Sequence, residues 1–253
     1  MADIAFVVFG THEYQWALGP FGHLFAKYWG DETVTYVGDR LAGPLPDNIE
    51  FMRVPCYSEG VWPWRHWFGN GVRETLKILG EDLAAIFLPD DWIRRPVQSD
   101  VVDAMARHML EAGNVVRGNL ADDTNLEGHS RTVATREEIE IVVCDDVHHC
   151  GNEAGTALSP ALWDRKKFID ILEPHWGLWA TEKLGTEKMA RKYPDWISVG
   201  TRPAALGRVN SIRDGQRRQA HGEPPKRVWV EGLSEEDRRA VRAMIPGKYD
   251  IVE

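Results

Sequence analysis

The sequence predicts an α/β fold in which helices cover both faces of a mostly parallel central sheet. Three short runs of apolar and β-branched residues, Ile4–Phe9, Thr33–Val37 and Ala84–Leu88, are typical of strands buried on both faces. Segments with apolar residues at helical spacing separate them, and this alternation favours parallel strands joined by crossover helices. With 253 residues, 43% of them hydrophobic, the chain suffices for one large domain.

The other elements follow from the same patterns. Glu13–Trp29 carries aromatic and apolar residues at helical spacing, with Gly19 and Pro20 offsetting its first turn. Seven basic residues against two acidic ones predict a basic loop or arm at about 202–227. The remaining expected elements are strands at Ile49–Val54, Asn114–Arg117 and Ile139–Val143, and helices at Trp64–Leu79, Asp100–Ala112, Leu162–Leu172, Thr181–Lys192 and, capped by Ser234, Glu235–Met244.

Composition narrows the class of protein. A net charge of -9 argues against a surface that is basic overall, so contact with nucleic acid would need a local positive patch such as the arm. Three cysteines are too few for a disulfide framework, and the start of the chain lacks signal-peptide features. With no long apolar run either, we expect a cytoplasmic protein without a membrane partner. No pattern indicates an obligate protein partner.

Two adjacent carboxylates, Asp90 and Asp91, directly follow the strand Ala84–Leu88. In α/β sheets the ligand crevice lies outside the carboxyl ends of the strands, and Gly10 and Thr11 stand at another such end. We therefore expect these two stretches to face one crevice. Carboxylates there suit Mn²⁺ or Mg²⁺, which would neutralise a diphosphate leaving group. The alternative is a turn in which an Asp side chain accepts backbone hydrogen bonds.

Five segments together resemble a family of GT-A-fold glycosyltransferases found widely in phage and environmental sequences. In order they are THEYQW, FAKYWGD, LPDDW followed by RPV, LSPALWDRKKFIDIL and WATE, and they span roughly Ile4 to Gly215. The resemblance implies a single GT-A-like, Rossmann-like domain over residues 1–253. It also implies a hexosyltransferase-like enzyme that moves a sugar from a nucleoside diphosphate sugar, with a UDP-sugar as the leading candidate, to a hydroxyl acceptor.

The resemblance further implies where the donor binds. Its base and ribose would lie near Gly10, Thr11 and Tyr14, with the diphosphate held by a metal at Asp91 and the sugar beside Asp90. Pro89 stands where a DXD motif places a carboxylate, so the metal site would rest on Asp91. Arg213, in the segment 210–215, offers an alternative, because a guanidinium matches phosphate oxygens.

Glu182, in WATE, is the candidate general base for an inverting displacement, and a helix N-terminal glutamate near the dipole is the alternative. A retaining reaction would need no base there. Asp146 and His148, in the cluster CDDVHHC, are expected to orient the acceptor, with Asp146 in a catalytic role; a zinc site or a structural loop are the alternatives. The expected acceptor-binding aromatics are Trp92, Trp163 and Trp179, against core packing as the default for such residues.

Two classes of acceptor are compatible with the sequence. One is a 5-hydroxymethylpyrimidine in phage DNA. The enzyme would flip this base out of the duplex while the basic arm contacts DNA phosphates, and it would work in the host cytoplasm. The other is a glycan or another small hydroxyl compound. Two other functions also stay open: a non-catalytic nucleotide-sugar-binding protein of the same fold, and a zinc-dependent hydrolase using the segment Cys144–Cys150.

Overall fold

The computed structural model describes residues 3–54, 68–122, 130–144, 156–212 and 227–253. The strands in these residues are β1 (Ile4–Phe9), β2 (Val34–Gly38), β3 (Ile49–Arg53), β4 (Leu83–Phe87), β5 (Asp91–Ile93), β6 (Val115–Asn119), β7 (Ser130–Arg136), β8 (Ile139–Cys144), β9 (Ala161–Asp164), β10 (Ile197–Arg202), β11 (Arg208–Asn210), β12 (Arg227–Trp229) and β13 (Asp250–Val252). Nine of them form one sheet in the order β3-β2-β1-β4-β9-β6-β10-β8-β7, while β5 pairs with β11 and β12 with β13.

The large sheet is mixed, so the prediction of a mostly parallel sheet is wrong. β1 is parallel to both β2 and β4, β2 to β3, and β6 to β10. β9 runs antiparallel between β4 and β6, and β8 runs antiparallel to both β7 and β10. β7 and β8 are joined at Glu137 and Glu138, which both have positive φ. A turn this tight joins only antiparallel strands, which accounts for that edge of the sheet.

The segment Leu162–Leu172, predicted as one helix, divides into a strand and a shorter helix. Residues 161–163 form part of β9 and are all fully buried, as expected for a strand covered on both faces and not for an amphipathic helix. Asp164 then ends the strand and caps the helix that follows, since its Oδ1 accepts a hydrogen bond from the backbone N–H of Lys167 at 2.9 Å.

The helices cover both faces of the sheet, as the sequence predicts. They are α1 (Leu18–Tyr28), α2 (Phe68–Ile78), α3 (Ser99–Ala112), α4 (Arg165–Ile171), α5 (Leu178–Lys192) and α6 (Glu235–Met244). α1, α3 and α6 contribute to the apolar core on one face, and α2, α4 and α5 to the core on the other. A 3₁₀ helix, His12–Ala17, precedes α1, so the predicted helix Glu13–Trp29 begins with a tighter turn than expected.

The C-terminal helix is fixed to α1 by one buried carboxylate. Asp237 is fully buried and accepts hydrogen bonds from Lys27 Nζ at 2.7 Å and from the hydroxyl of Tyr28 at 2.5 Å. Ser234 caps α6 by accepting from the backbone N–H of Asp237 at 3.1 Å, as the sequence predicts. Within the described ranges, no helix combines the length and apolarity that crossing a bilayer requires.

Candidate functional site

The carboxyl ends of β1 and β4 meet at one edge of the sheet. These strands are adjacent and parallel, so Gly10 after β1 and Pro89 after β4 lie side by side. A Cβ on Gly10 would come within 2.6 Å of Pro89 Cγ, and the carbonyl of Gly10 accepts a hydrogen bond from the hydroxyl of Tyr36 at 3.2 Å. The two stretches expected to share a crevice are therefore packed directly against each other.

Asp39, which follows β2 at the same edge, is a polar residue that the sequence reasoning did not select. Its carboxylate accepts from the backbone N–H of His12 at 3.1 Å and lies 2.8 Å from His12 Nδ1. Arg40 Nη2 lies 2.7 Å from His12 Nε2. Because arginine can only donate, Nε2 must accept and Nδ1 must carry the proton that bonds Asp39. The position of Asp39, two residues after the predicted strand Thr33–Val37, was the available signal.

The 3₁₀ helix after β1 holds the loop after β2 in place. Gln15, itself buried, donates to the carbonyl of Gly43 at 2.6 Å and accepts from the backbone N–H of Ala42. Tyr14 beside it is also buried. Thr11 is fully buried, and within the described residues its hydroxyl has no hydrogen-bond partner, which is uncommon for a buried polar group. The predicted donor-binding residues therefore lie in a fixed wall.

Asp91, the predicted metal ligand, is held by an arginine from another strand. Oδ1 of Asp91 accepts from Nε and Nη2 of Arg208, each at 2.6 Å, and Oδ2 accepts from the backbone N–H of Leu88 at 2.9 Å. The pairing of β5 with β11 brings Arg208 there. In the part of the chain that the structure describes, no three His, Cys, Asp or Glu side chains cluster as metal ligands do. As they stand, these residues do not fit a divalent cation.

Asp90 is in a different electrostatic situation from its neighbour. Burial and the adjacent charge of Asp91 raise the pKa of Asp90 to about 7, although Arg208 acts in the opposite direction. The carbonyl of Asp90 accepts from the backbone N–H and the hydroxyl of Ser211, at 3.0 and 3.2 Å. The backbone of Asp90 thus anchors the end of β11, and its carboxyl group lies in a site that disfavours charge.

Glu182, the predicted general base, lies near the start of α5 and is 7% exposed. Its Oε1 accepts from the backbone N–H of Leu158 at 2.8 Å, and its carbonyl accepts from the hydroxyl of Thr156 at 2.7 Å. This residue therefore orders the segment that leads into β9, on the face of the sheet covered by α2, α4 and α5.

Two of the three tryptophans expected to bind an acceptor belong to the core instead. Trp92 is fully buried and its indole N–H donates to the carbonyl of Pro89 at 3.1 Å. Trp163 is also fully buried and stacks on Phe168 with 3.8 Å between the ring centroids. Neither ring offers a face to an acceptor, because both are fully buried. Trp179, on α5, is 46% exposed.

Several predicted site residues lie outside the described residues. They are Asp146 and His148, which belong to the part of the cluster after Cys144, and Arg213 in the basic arm. The arm is described up to Ile212, and its residues 208–210 form β11.

No protein-family model matches the sequence, and no curated protein matches it. Among solved structures, S. aureus TarS 1-349 in complex with UDP-GlcNAc is 14% identical, with a TM-score of 0.49, over 81% of this chain and 57% of that one. The complex of TarS 1-349 with UDP is 15% identical, also with a TM-score of 0.49, over 81% and 59%. This chain thus spans less than two thirds of their length. The similarity is distant, so the chemistry of this chain has to be argued from its own residues.

Proposed function

We propose that the protein is a glycosyltransferase that moves a sugar from a nucleoside diphosphate sugar, with a UDP-sugar as the first candidate, to a hydroxyl acceptor. The observation that carries this proposal is the row of polar residues at the carboxyl ends of three adjacent parallel strands, β2, β1 and β4. Ligands of α/β sheets bind at such edges. The ordered sequence segments that resemble GT-A glycosyltransferases support the same assignment.

The nucleoside would lie against the wall formed by Gly10, Thr11 and Tyr14, with Asp39 at its side. The Asp39 side chain is 16% exposed, and His12 fixes its orientation through two hydrogen bonds. A carboxylate has about four lone-pair sites, so Asp39 can accept from ribose hydroxyls or a base N–H in addition to His12. Asp90, Asp91 and Arg213 complete the proposed donor site, on the side of the diphosphate and the sugar.

Glu182 is the proposed general base for an inverting transfer. The acceptor oxygen would form a bond to the anomeric carbon while the bond from that carbon to the diphosphate oxygen breaks, and Glu182 would take the proton of the acceptor hydroxyl. Trp179, exposed on the same helix, is the proposed acceptor contact, together with Asp146 and His148. The acceptor itself is proposed to be a 5-hydroxymethylpyrimidine in DNA or a glycan.

The test is thermal stabilisation of the purified protein across a panel of UDP-, GDP- and ADP-sugars, followed by turnover assays with the donors that bind. A ligand that binds only the folded state must raise its stability, so one donor should raise the melting temperature more than the others. That donor should then label hydroxymethylated DNA or a glycan. Binding without turnover would favour a non-catalytic binding protein, and no shift with any donor would contradict the proposal.

A further inference from the structure

One oxygen of the Asp91 carboxylate, Oδ1, already contacts a cationic side chain. Both Nε and Nη2 of Arg208 lie 2.6 Å from Oδ1, and the backbone N–H of Leu88 bonds Oδ2. The Asp91 side chain has no exposed surface, and that of Arg208 is 13% exposed. The pair is therefore largely removed from water. Salt screens such a buried ion pair less than it screens an ion pair at the surface.

A divalent cation and this arginine cannot share the site as it stands. Mg²⁺ would lie about 2.1 Å from a carboxylate oxygen, so at Oδ1 it would meet the two guanidinium nitrogens at contact distance. Two cations this close repel each other, and the metal would also lose the water ligands that it releases reluctantly. A metal at Oδ1 of Asp91 therefore requires Arg208 to leave.

The backbone of Arg208 is fixed by its own strand and by two neighbouring segments. Its backbone N–H donates to Oδ1 of Asp122 at 3.0 Å, and β11 pairs with β5 so that Arg208 lies opposite Ile93. The carbonyl of Gly207 accepts from the backbone N–H of Arg94 at 3.0 Å, which fixes the chain on the other side. The guanidinium thus reaches Asp91 from a backbone that both neighbouring segments hold.

We propose that the donor binds without a divalent cation and that Arg208 is the cationic group facing the diphosphate at Asp91. This inference rests on the proposed function and deepens it. A guanidinium bound to a carboxylate along one edge is planar and preorganised, which suits it to phosphate oxygens as well as to Asp91. It brings one positive charge where Mn²⁺ would bring two, so it neutralises less of the diphosphate charge than the metal would.

The first experiment measures the dissociation constant of UDP and of each stabilising UDP-sugar by calorimetry, once in EDTA and once in excess Mn²⁺. The expected result is the same constant in both buffers, within about a factor of two, or about 0.4 kcal/mol. Binding that needs Mn²⁺, with an affinity loss of about tenfold or more in EDTA, would overturn this inference and leave the proposed function standing. Absence of binding in both buffers would overturn both.

The second experiment uses Arg208→Ala, with Arg107→Ala as the matched control. Arg107 also pairs with a carboxylate, Glu137 at 3.2 Å, but on the exposed surface of α3. Arg208→Ala should weaken binding in EDTA by about tenfold or more, and Mn²⁺ should restore part of it because Asp91 is then open to a metal. Electron paramagnetic resonance should show Mn²⁺ bound to Arg208→Ala and none bound to the wild type.

Arg208→Lys keeps the positive charge and loses the planar guanidinium. It replaces Arg208→Ala in this experiment if Arg208→Ala does not fold. It should bind the donor more weakly than the wild type in EDTA and still show no gain from Mn²⁺. Unchanged donor affinity in Arg208→Ala or Arg208→Lys, or Mn²⁺ bound to the wild type, would overturn the assignment of Arg208.

Discussion

Asp90 and Asp91 are consecutive residues whose carboxyl groups meet opposite electrostatic surroundings. Asp91 is paired with Arg208 at 2.6 Å, whereas burial and the charge of Asp91 raise the pKa of Asp90 to about 7. One carboxylate is thus favoured in its charged form by a specific cation, and the other is disfavoured by its position. The same chemical change at the two residues should therefore have opposite effects on stability.

Asp90→Asn should stabilise the protein above neutral pH. The folded-state pKa is higher than the unfolded one, so ionisation of Asp90 opposes folding; this penalty is absent below about pH 4 and grows as pH rises to about 7. The amide removes it, with a gain on the order of 1 kcal/mol near pH 8 and little change near pH 4. Urea unfolding of the wild type and of Asp90→Asn at these two pH values measures the difference in stability. A loss of stability that is equal at the two pH values would contradict the assignment.

Asp91→Asn is the matched change one residue away and should destabilise. An amide can still accept from the backbone N–H of Leu88, but it removes the carboxylate charge that pairs with the guanidinium of Arg208, which is 13% exposed. Breaking a buried pair on one side costs about 3 kcal/mol. Urea unfolding beside Asp90→Asn measures the difference, and equal stability of the two variants would show that the pair contributes nothing.

The sequence predicts these surroundings only in part, because it shows local patterns and not distant partners. β1, β2 and β4 were predictable because each is a short apolar run, and their adjacency placed Gly10 beside Pro89. Arg208 lies 117 positions from Asp91, so only the tertiary fold reveals the pair. β9 was missed for another reason: its buried residues precede a helix cap directly, and the apolar spacing of strand and helix merges into one helical pattern.

Gly10→Ala should disturb the crevice edge. Its Cβ would lie 2.6 Å from Pro89 Cγ and 3.3 Å from the Tyr36 ring, so the ends of β1 and β4 would have to separate. Overpacking of this kind costs about 1–3 kcal/mol, and donor affinity should fall with it. Gly80→Ala is the control, since nothing lies within 4 Å of a Cβ there. Thermal unfolding compares them, and an unaffected Gly10→Ala would mean that the edge tolerates separation.

Asp237→Ala should detach α6 from α1. It removes the acceptor for Lys27, Tyr28 and the hydroxyl of Ser234, and should cost about 3 kcal/mol. Glu236→Ala, with a side chain 84% exposed, is the control in urea unfolding and should change stability little. Equal stability of the two variants would argue against this anchor.

The contribution of Asp237 should also depend on pH. Burial acts to raise the pKa of Asp237, but its hydrogen bonds lower that pKa overall, so the stabilisation is present above about pH 4 and is lost as pH falls further.

Glu182→Gln should separate the proposed catalytic role of this residue from its structural one. The carbonyl oxygen of Gln can still accept from the backbone N–H of Leu158, so the melting temperature and the donor affinity should stay close to those of the wild type. Gln cannot take a proton, and loss of a general base lowers kcat by about 100-fold or more.

Glu187→Gln, an exposed change on the same helix, is the control and should keep full turnover. Full turnover in Glu182→Gln would exclude Glu182 as the base, as expected for a retaining enzyme. A large fall in melting temperature would instead show that its bond to Leu158 needs the charge, because hydrogen bonds to charged groups contribute more to stability than neutral ones.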